Sequence, residues 1–226
     1  MPTPDPSSRN SHGFVAGVIL AGGASTRMGR DKTAIKPHGL DGLTLLEWAV
    51  RRMGAAMSRW VVADGGRGLV PGAESVADGD GAGPIAGLLG AAARLPGRRL
   101  LALACDLPLV PASVLCRLIE HDEDQVVPES SHGPEPLCAV YGPQALKALA
   151  ERAASRRFSL RDVGAGNPTM TQKRILRRDL AAELPSGFDW EDLFLNANRP
   201  EDLQRAELLL KRHDISQFLR VGSTRR

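Results

Sequence analysis

Apolar and polar positions fall in blocks whose period changes along the chain, and the blocks predict alternating strands and helices. Residues 14–20 (Phe-Val-Ala-Gly-Val-Ile-Leu) are apolar almost without interruption, the pattern of a strand buried on both faces. Residues 43–57 instead place Leu46, Val50 and Met53 at helical spacing, with Thr44 positioned to cap the first turn. Trp60, Val61, Val62 and Ala63 make a second strand. Residues 84–95 predict a helix of small residues with Pro84 in its first turn. Residues 100–104 (Leu-Leu-Ala-Leu-Ala) predict a central strand covered on both faces, followed by a helix over 111–120 and a short strand over 125–128.

The second half continues the alternation. Residues 136–141 read as a strand and 144–156 as a helix, while 169–176 alternate as a half-exposed strand does. Phe194 and Leu195 form a short apolar pair, and 199–211 predict an amphipathic helix with Pro200 in its first turn. The succession predicts an α/β fold with three α/β/α layers and a mainly parallel sheet. No repeat or linker interrupts it, so residues 14–212 read as a single domain. Residues 1–13 are polar and proline-containing, a disordered lead-in; residues 213–226 form a basic tail with one apolar patch at Ile215, Phe218 and Leu219.

Composition narrows the function classes. In 226 residues, 42% are apolar and 24% charged, which suits a globular protein with a substantial core. The net charge is only +3, the cations are dispersed and aromatics are 4%, which argues against a nucleic-acid partner. No segment has the length and apolarity of a membrane span, and the N-terminus lacks the hydrophobic core of a signal peptide. Cys105, Cys116 and Cys138 are odd in number and lack metal-ligand spacing, pointing to a reducing compartment. The expectation is a cytoplasmic protein with no membrane partner.

The chemistry concentrates where the first strand ends, in Leu20-Ala21-Gly22-Gly23-Ala24-Ser25-Thr26-Arg27-Met28-Gly29-Arg30-Asp31-Lys32. Glycines there let bare backbone N–H groups approach a ligand, and Arg27 and Lys32 add full positive charge, a combination suited to a triphosphate. A P-loop is excluded, because five residues separate Gly23 from Gly29 and Arg30 follows. The near match to a dinucleotide fingerprint at residues 81–87 has no convincing strand leading into it. On residue types alone the turn also reads as a glycine-rich surface loop with two solvated cations.

A second feature is Asp106, directly after the central strand in Cys105-Asp106-Leu107-Pro108. Ligands of open α/β sheets bind beyond the carboxyl ends of strands, and one carboxylate with substrate phosphates and water suffices for Mg²⁺. Asp106 taken alone equally suits an aspartate starting a turn ahead of proline. Cys105 has no histidine nearby in sequence, and an adjacent carboxylate disfavours a thiolate, so it reads as a small buried apolar residue. A third feature is the glycine-rich loop holding Asp78 and Asp80 ahead of Gly83-Pro84-Ile85-Ala86-Gly87.

The thirteen contiguous positions from Leu20 to Lys32 resemble the signature of the molybdenum cofactor guanylyltransferases, or molybdopterin-guanine dinucleotide synthases. Similar matches at residues 105–108, 135–141, 157–160 and 196–202 extend the resemblance over roughly 17–203. The resemblance implies a Rossmann-like nucleotide-diphospho-sugar transferase fold. It implies transfer of GMP from GTP to molybdenum-loaded molybdopterin, releasing pyrophosphate, with Mg²⁺ as cofactor. It places Leu20, Ala21, Gly22, Gly23, Lys32, Asp78 and Asp106 at the nucleotide, Asp106 on the metal, and Lys32, Asp106 and Arg27 in catalysis. Asp80 remains an alternative to Asp78. Asn196 and Asn198 fall to the second substrate, although Asn198 equally suits the N-cap of a helix beginning at Arg199. Cytidylyltransferase relatives carry Leu-Ala-Ala-Gly at the first turn, so Gly22 favours guanine. Ala63-Asp64 departs from the asparagine that some members use to contact the nucleotide. GTP and molybdopterin are the implied substrates, with molybdenum-insertion proteins and molybdoenzymes as further partners. Use of CTP or another phosphorylated acceptor, or a non-catalytic accessory role, stays open.

Overall fold

The hydrophobic blocks assemble around one mixed sheet in the computed structural model, which describes residues 15–22, 32–161, 163, 167–184 and 187–221. Its strands are β1 (Val15–Leu20), β2 (Trp60–Ala63), β3 (Ser75–Val76), β4 (Arg99–Ala104), β5 (Gln125–Ser130), β6 (Gly133–Pro134), β7 (Cys138–Tyr141) and β8 (Gln172–Ile175). The order is β3-β2-β1-β4-β7-β5-β6, with β8 on the other side of β5. Strands β1 to β4 are mutually parallel, and β5 and β8 run the same way; β7 is antiparallel to both β4 and β5. Strand β1 is buried at all six positions, as its unbroken apolar run requires.

Helices α1 (Leu45–Ala56), α2 (Pro84–Arg94), α3 (Ala112–Ile119) and α4 (Pro143–Ala154) cover the sheet. Helix α1 packs with α3, and α2 with α4, while α1 and α2 both lie on β1. The three layers follow from the strand order. The chain passes from β1 outward to β2 and β3, then returns across β1 to β4, and right-handed crossovers in opposite directions put α1 and α2 on opposite faces. Helix α1 starts at a capping box: Thr44 Oγ1 accepts from Glu47 N at 3.1 Å, and Thr44 N donates to Glu47 Oε2 at 2.8 Å. Pro84, Pro143 and Pro200 occupy first-turn positions.

The reversal of β7 was not legible in the sequence, and it matters. Because β7 runs back across the sheet, α4 begins at the opposite edge and delivers residues 155–161 to the edge where β1 and β4 end. Short helices α5 (Arg177–Leu180) and α6 (Trp190–Leu193) precede α7 (Pro200–Arg212). The apolar patch at residues 215–219 forms a 3-10 turn, Ile215–Leu219, packed on α1 and α3. Phe218 is fully buried there, edge-on to Trp48 (6.3 Å between ring centroids) and Phe188 (5.9 Å). Among the described residues no helix is long and apolar enough to cross a membrane.

Candidate active site

Strand order locates the site. Strand β1 has β2 on one side and β4 on the other, which makes the C-terminal ends of β1 and β4 a topological switch point. Leu20 and Ala21 are buried there, and Gly22 is exposed at the edge. Ala21 N donates to Ala63 O at 2.9 Å, and Cys105 N donates to Leu20 O at 3.1 Å, so the turn is fastened to both neighbouring strands. Among the described residues a Cβ on Gly22 would meet only Ala63 O, at 3.9 Å. Packing of the described residues does not demand glycine at this position. Gly23 and Arg27 lie outside the described residues. Lys32 opens the 3-10 turn Lys32–Ala34.

The loop after β2 is organised by Asp64, whose side chain is buried. Its Oδ1 accepts from Arg67 N at 3.1 Å and from Ser75 Oγ, and its Oδ2 accepts from Leu69 N at 2.8 Å. Asp64 therefore shapes the loop and pins β3. That loop aims Arg67, whose Nε donates to Asp64 O at 2.7 Å and whose Nη2 donates to Ala21 O at 3.1 Å. No motif in the sequence marks this guanidinium at the first turn; the signal for it is a cation among glycines after a strand.

Asp78 and Asp80 are both exposed on the loop into α2. Asp78 faces the β2 turn, since a Cβ on Gly65 would lie 3.7 Å from its Oδ2. Two glycines let this loop lie flat on α2. A Cβ on Gly79 would come within 2.7 Å of Gly90 N, and one on Gly90 within 2.0 Å of Ala77 O. Both obstacles are backbone, so neither yields by rotating a side chain. Gly90→Ala is expected to lower stability by about 1–3 kcal/mol and to displace the Asp78 loop. Urea unfolding together with a GTP titration checks this; unchanged values for both would refute it.

Asp106 is half-buried just beyond β4. The loop that carries it is held from α1 by three bonds to carbonyls. Trp48 Nε1 donates to Pro108 O at 2.8 Å, and Arg52 Nη1 donates to Leu107 O and Val110 O, both at 2.7 Å. Arg52 is wholly buried, and desolvation pushes its guanidinium down to about 9, which leaves it charged at neutral pH. Asp106 O accepts from Ala197 N at 2.8 Å, which brings the segment of Asn196 and Asn198 to the same place. Asn196 Oδ1 is buried with no hydrogen-bond partner among the described residues. Asn198 does not cap α7: the N-cap is Arg199, whose N–H donates to Asp202 Oδ2 at 3.1 Å.

Thiol chemistry does not fit the site. Cys105 is buried, and burial pushes Cys116 up to about 11 and Cys138 up to about 12. Among the described residues no group of three or more His, Cys, Asp or Glu side chains could hold a metal. Asp106 is a single hard oxygen donor, which fits a Mg²⁺ ion shared with substrate phosphates and does not fit a caged structural metal.

A topological switch point with a glycine at the first turn and an aspartate after the adjacent strand fits a nucleotidyltransferase. Residues 17–178 match the MobA-like NTP transferase domain, and the chain belongs to that family. A probable molybdenum cofactor guanylyltransferase of Opitutus terrae is 37% identical over 203 residues, covering 84% of this chain and 94% of that protein. The molybdenum cofactor guanylyltransferase of Rhizobium johnstonii is 32% identical over 211 residues, covering 87% and 93%. The crystal structure of molybdopterin-guanine dinucleotide biosynthesis protein A from Archaeoglobus fulgidus has the same fold, with a TM-score of 0.67 at 24% identity, covering 87% of this chain and 99% of the other.

Proposed function

We propose that the protein transfers GMP from GTP to molybdenum-loaded molybdopterin, forming molybdopterin guanine dinucleotide and pyrophosphate. The observation that carries this reading is a convergence at one edge. The Leu20 turn meets the Asp106 loop through the Cys105 N–Leu20 O bond, and that loop meets the Asn196–Asn198 segment through the Ala197 N–Asp106 O bond. The relatives named as guanylyltransferases supply the choice of guanine and of acceptor.

On this reading Leu20, Ala21, Gly22 and Gly23 bind the nucleotide, and Asp78 contacts the nucleoside. A phosphate oxygen of molybdopterin attacks the α-phosphorus of GTP, the bond from that phosphorus to the oxygen bridging the β-phosphate breaks, and pyrophosphate departs with those electrons. The attacking phosphate is already anionic at neutral pH, so the protein needs no general base. Its work is alignment and charge balance. Lys32 and Arg27 offset the charge on the phosphates. Asp106 would hold Mg²⁺, which would supply positive charge to offset the phosphates during transfer. Asn196 and Asn198 would hydrogen-bond the second substrate. The protein would act in the cytoplasm, between molybdenum insertion and the recipient molybdoenzymes.

Pyrophosphate release measured with GTP, CTP, ATP and UTP, each with Mg²⁺ and molybdenum-loaded molybdopterin, tests the proposal. Release is expected with GTP and is lost when the pterin is omitted. Preference for CTP would keep the class and change the product, while no release with any nucleotide would overturn the reading.

A further inference from the structure

Beyond Asp106, on the side of the sheet away from β2 and β3, the turn joining β6 to β7 presents a carboxylate that the proposed transfer does not use. Glu135 is fixed through its backbone: its N–H donates to Pro128 O at 2.9 Å, and its carbonyl accepts from Cys138 N at 3.1 Å. Tyr141 Oη secures the next residue by donating to Pro136 O at 2.7 Å. Ala104 N donates to Leu137 O at 2.9 Å. Glu135 thus stands two residues before one partner of that bond, and Asp106 two residues beyond the other, on the same edge.

The surroundings hold the carboxylate ready without consuming it. Ser130 Oγ donates to Glu135 Oε1 at 2.6 Å, and no described residue donates to Oε2. The hairpin tip beside it is clamped from two sides. Ser131 N and Oγ donate to Glu191 Oε2 at 3.0 and 2.6 Å, and Arg161 Nη1 reaches His132 O at 3.5 Å. The charged groups around Glu135 are Arg161, His132 and Glu191; burial outweighs them and lifts the carboxyl above its ordinary range. A half-buried carboxylate whose second oxygen takes no donor from the described residues is stabilised by a ligand that brings donors to it.

We propose that Glu135 is a recognition residue of the acceptor site, accepting the paired N–H groups of the 2-amino-4-oxo edge of a pterin. The inference rests on the pterin acceptor proposed above. Two adjacent donors on a planar ring match the two oxygens of one carboxylate. Guanine carries the same edge, so position decides between them. The Leu20 turn and Asp78 lie on the β1-β2-β3 side of Asp106, and Glu135 lies on the β7-β5 side.

Glu135→Gln tests this, since the amide keeps the shape and an acceptor for Ser130 while replacing the other acceptor by a donor. The expected result is a KM for molybdopterin raised roughly 10- to 100-fold, the range that follows from losing a hydrogen bond to a charged group. The KM for GTP and kcat stay within about twofold, as expected for a contact made equally in ground and transition states. Equal changes in both KM values, a rise for GTP alone, or no change would overturn the proposal. Calorimetric titration of metal-free molybdopterin into nucleotide-free protein separates this inference from the transfer reaction. Wild-type binding that is lost in the variant supports Glu135 even if GTP proves the wrong donor. Wild-type binding retained in the variant overturns Glu135 alone, and no binding to wild type overturns the acceptor reading with it.

Discussion

Asp106→Asn is expected to lower kcat for guanylyl transfer by about 100- to 1,000-fold, the effect of removing one preorganised electrostatic group. The substitution preserves shape and leaves in place the contacts that build the loop. Ala197 is held by the Asp106 carbonyl, and Leu107, Pro108 and Val110 are held through theirs from α1. Only the negative charge is lost. If that charge shares Mg²⁺ with the triphosphate, the Mg²⁺ needed for half-maximal rate rises along with the fall in kcat. Steady-state rates across a Mg²⁺ titration read both quantities, and a thermal melt confirms that the fold persists. Turnover close to wild type at every Mg²⁺ concentration would leave Asp106 as a turn-forming aspartate ahead of Pro108, and the metal role would fall.

The sequence showed where strands end but not how the chain runs between them. β2 occupies the four positions expected, and β1, α1, α2 and α3 agree with the periodicity to within two residues at each end. Each buries a continuous stripe or a complete run, and burial is the property that hydrophobic period records. Strands β3 and β6 have two residues each, too few for any period to show. The reversal of β7 was invisible for a different reason. Cys138–Tyr141 is buried on both faces whichever way it runs, and strand direction is set by pairing with Leu100–Leu103, not by composition.

At the site, glycines and acids at strand ends were readable because their chemistry is local to a few residues. Long-range hydrogen bonds were not. Asp64 looked like a departure at a ligand-contacting position, yet its carboxylate is spent on Arg67, Leu69 and Ser75. Arg52 follows Arg51 in the sequence, and nothing in its neighbours announces carbonyl partners more than fifty residues away.

Arg52 carries the second large effect. Arg52→Met is expected to lower stability by about 2–4 kcal/mol and to reduce kcat while leaving the KM for GTP nearly unchanged. Among the described residues Arg52 has no carboxylate partner. Its charge rests on the Leu107 and Val110 carbonyls, a longer bond to Trp48 O at 3.4 Å, and the Trp48 ring face at 5.3 Å. Methionine fills the same channel and removes a costly buried cation, which favours the variant. It also strips both carbonyls of their donor, at about 1–3 kcal/mol each, and the second effect is the larger. Because those carbonyls flank the loop that begins at Asp106, the looser loop should hold that carboxylate less well in the transition state than in the resting enzyme. That difference makes the loss fall on kcat. Arg52→Lys keeps a charged donor on a shorter stem and should recover part of both quantities. Urea unfolding and steady-state kinetics on the two variants decide the matter. A methionine variant as stable and as fast as wild type would mean that the buried side chains of Leu107, Leu109 and Val110 hold the loop unaided.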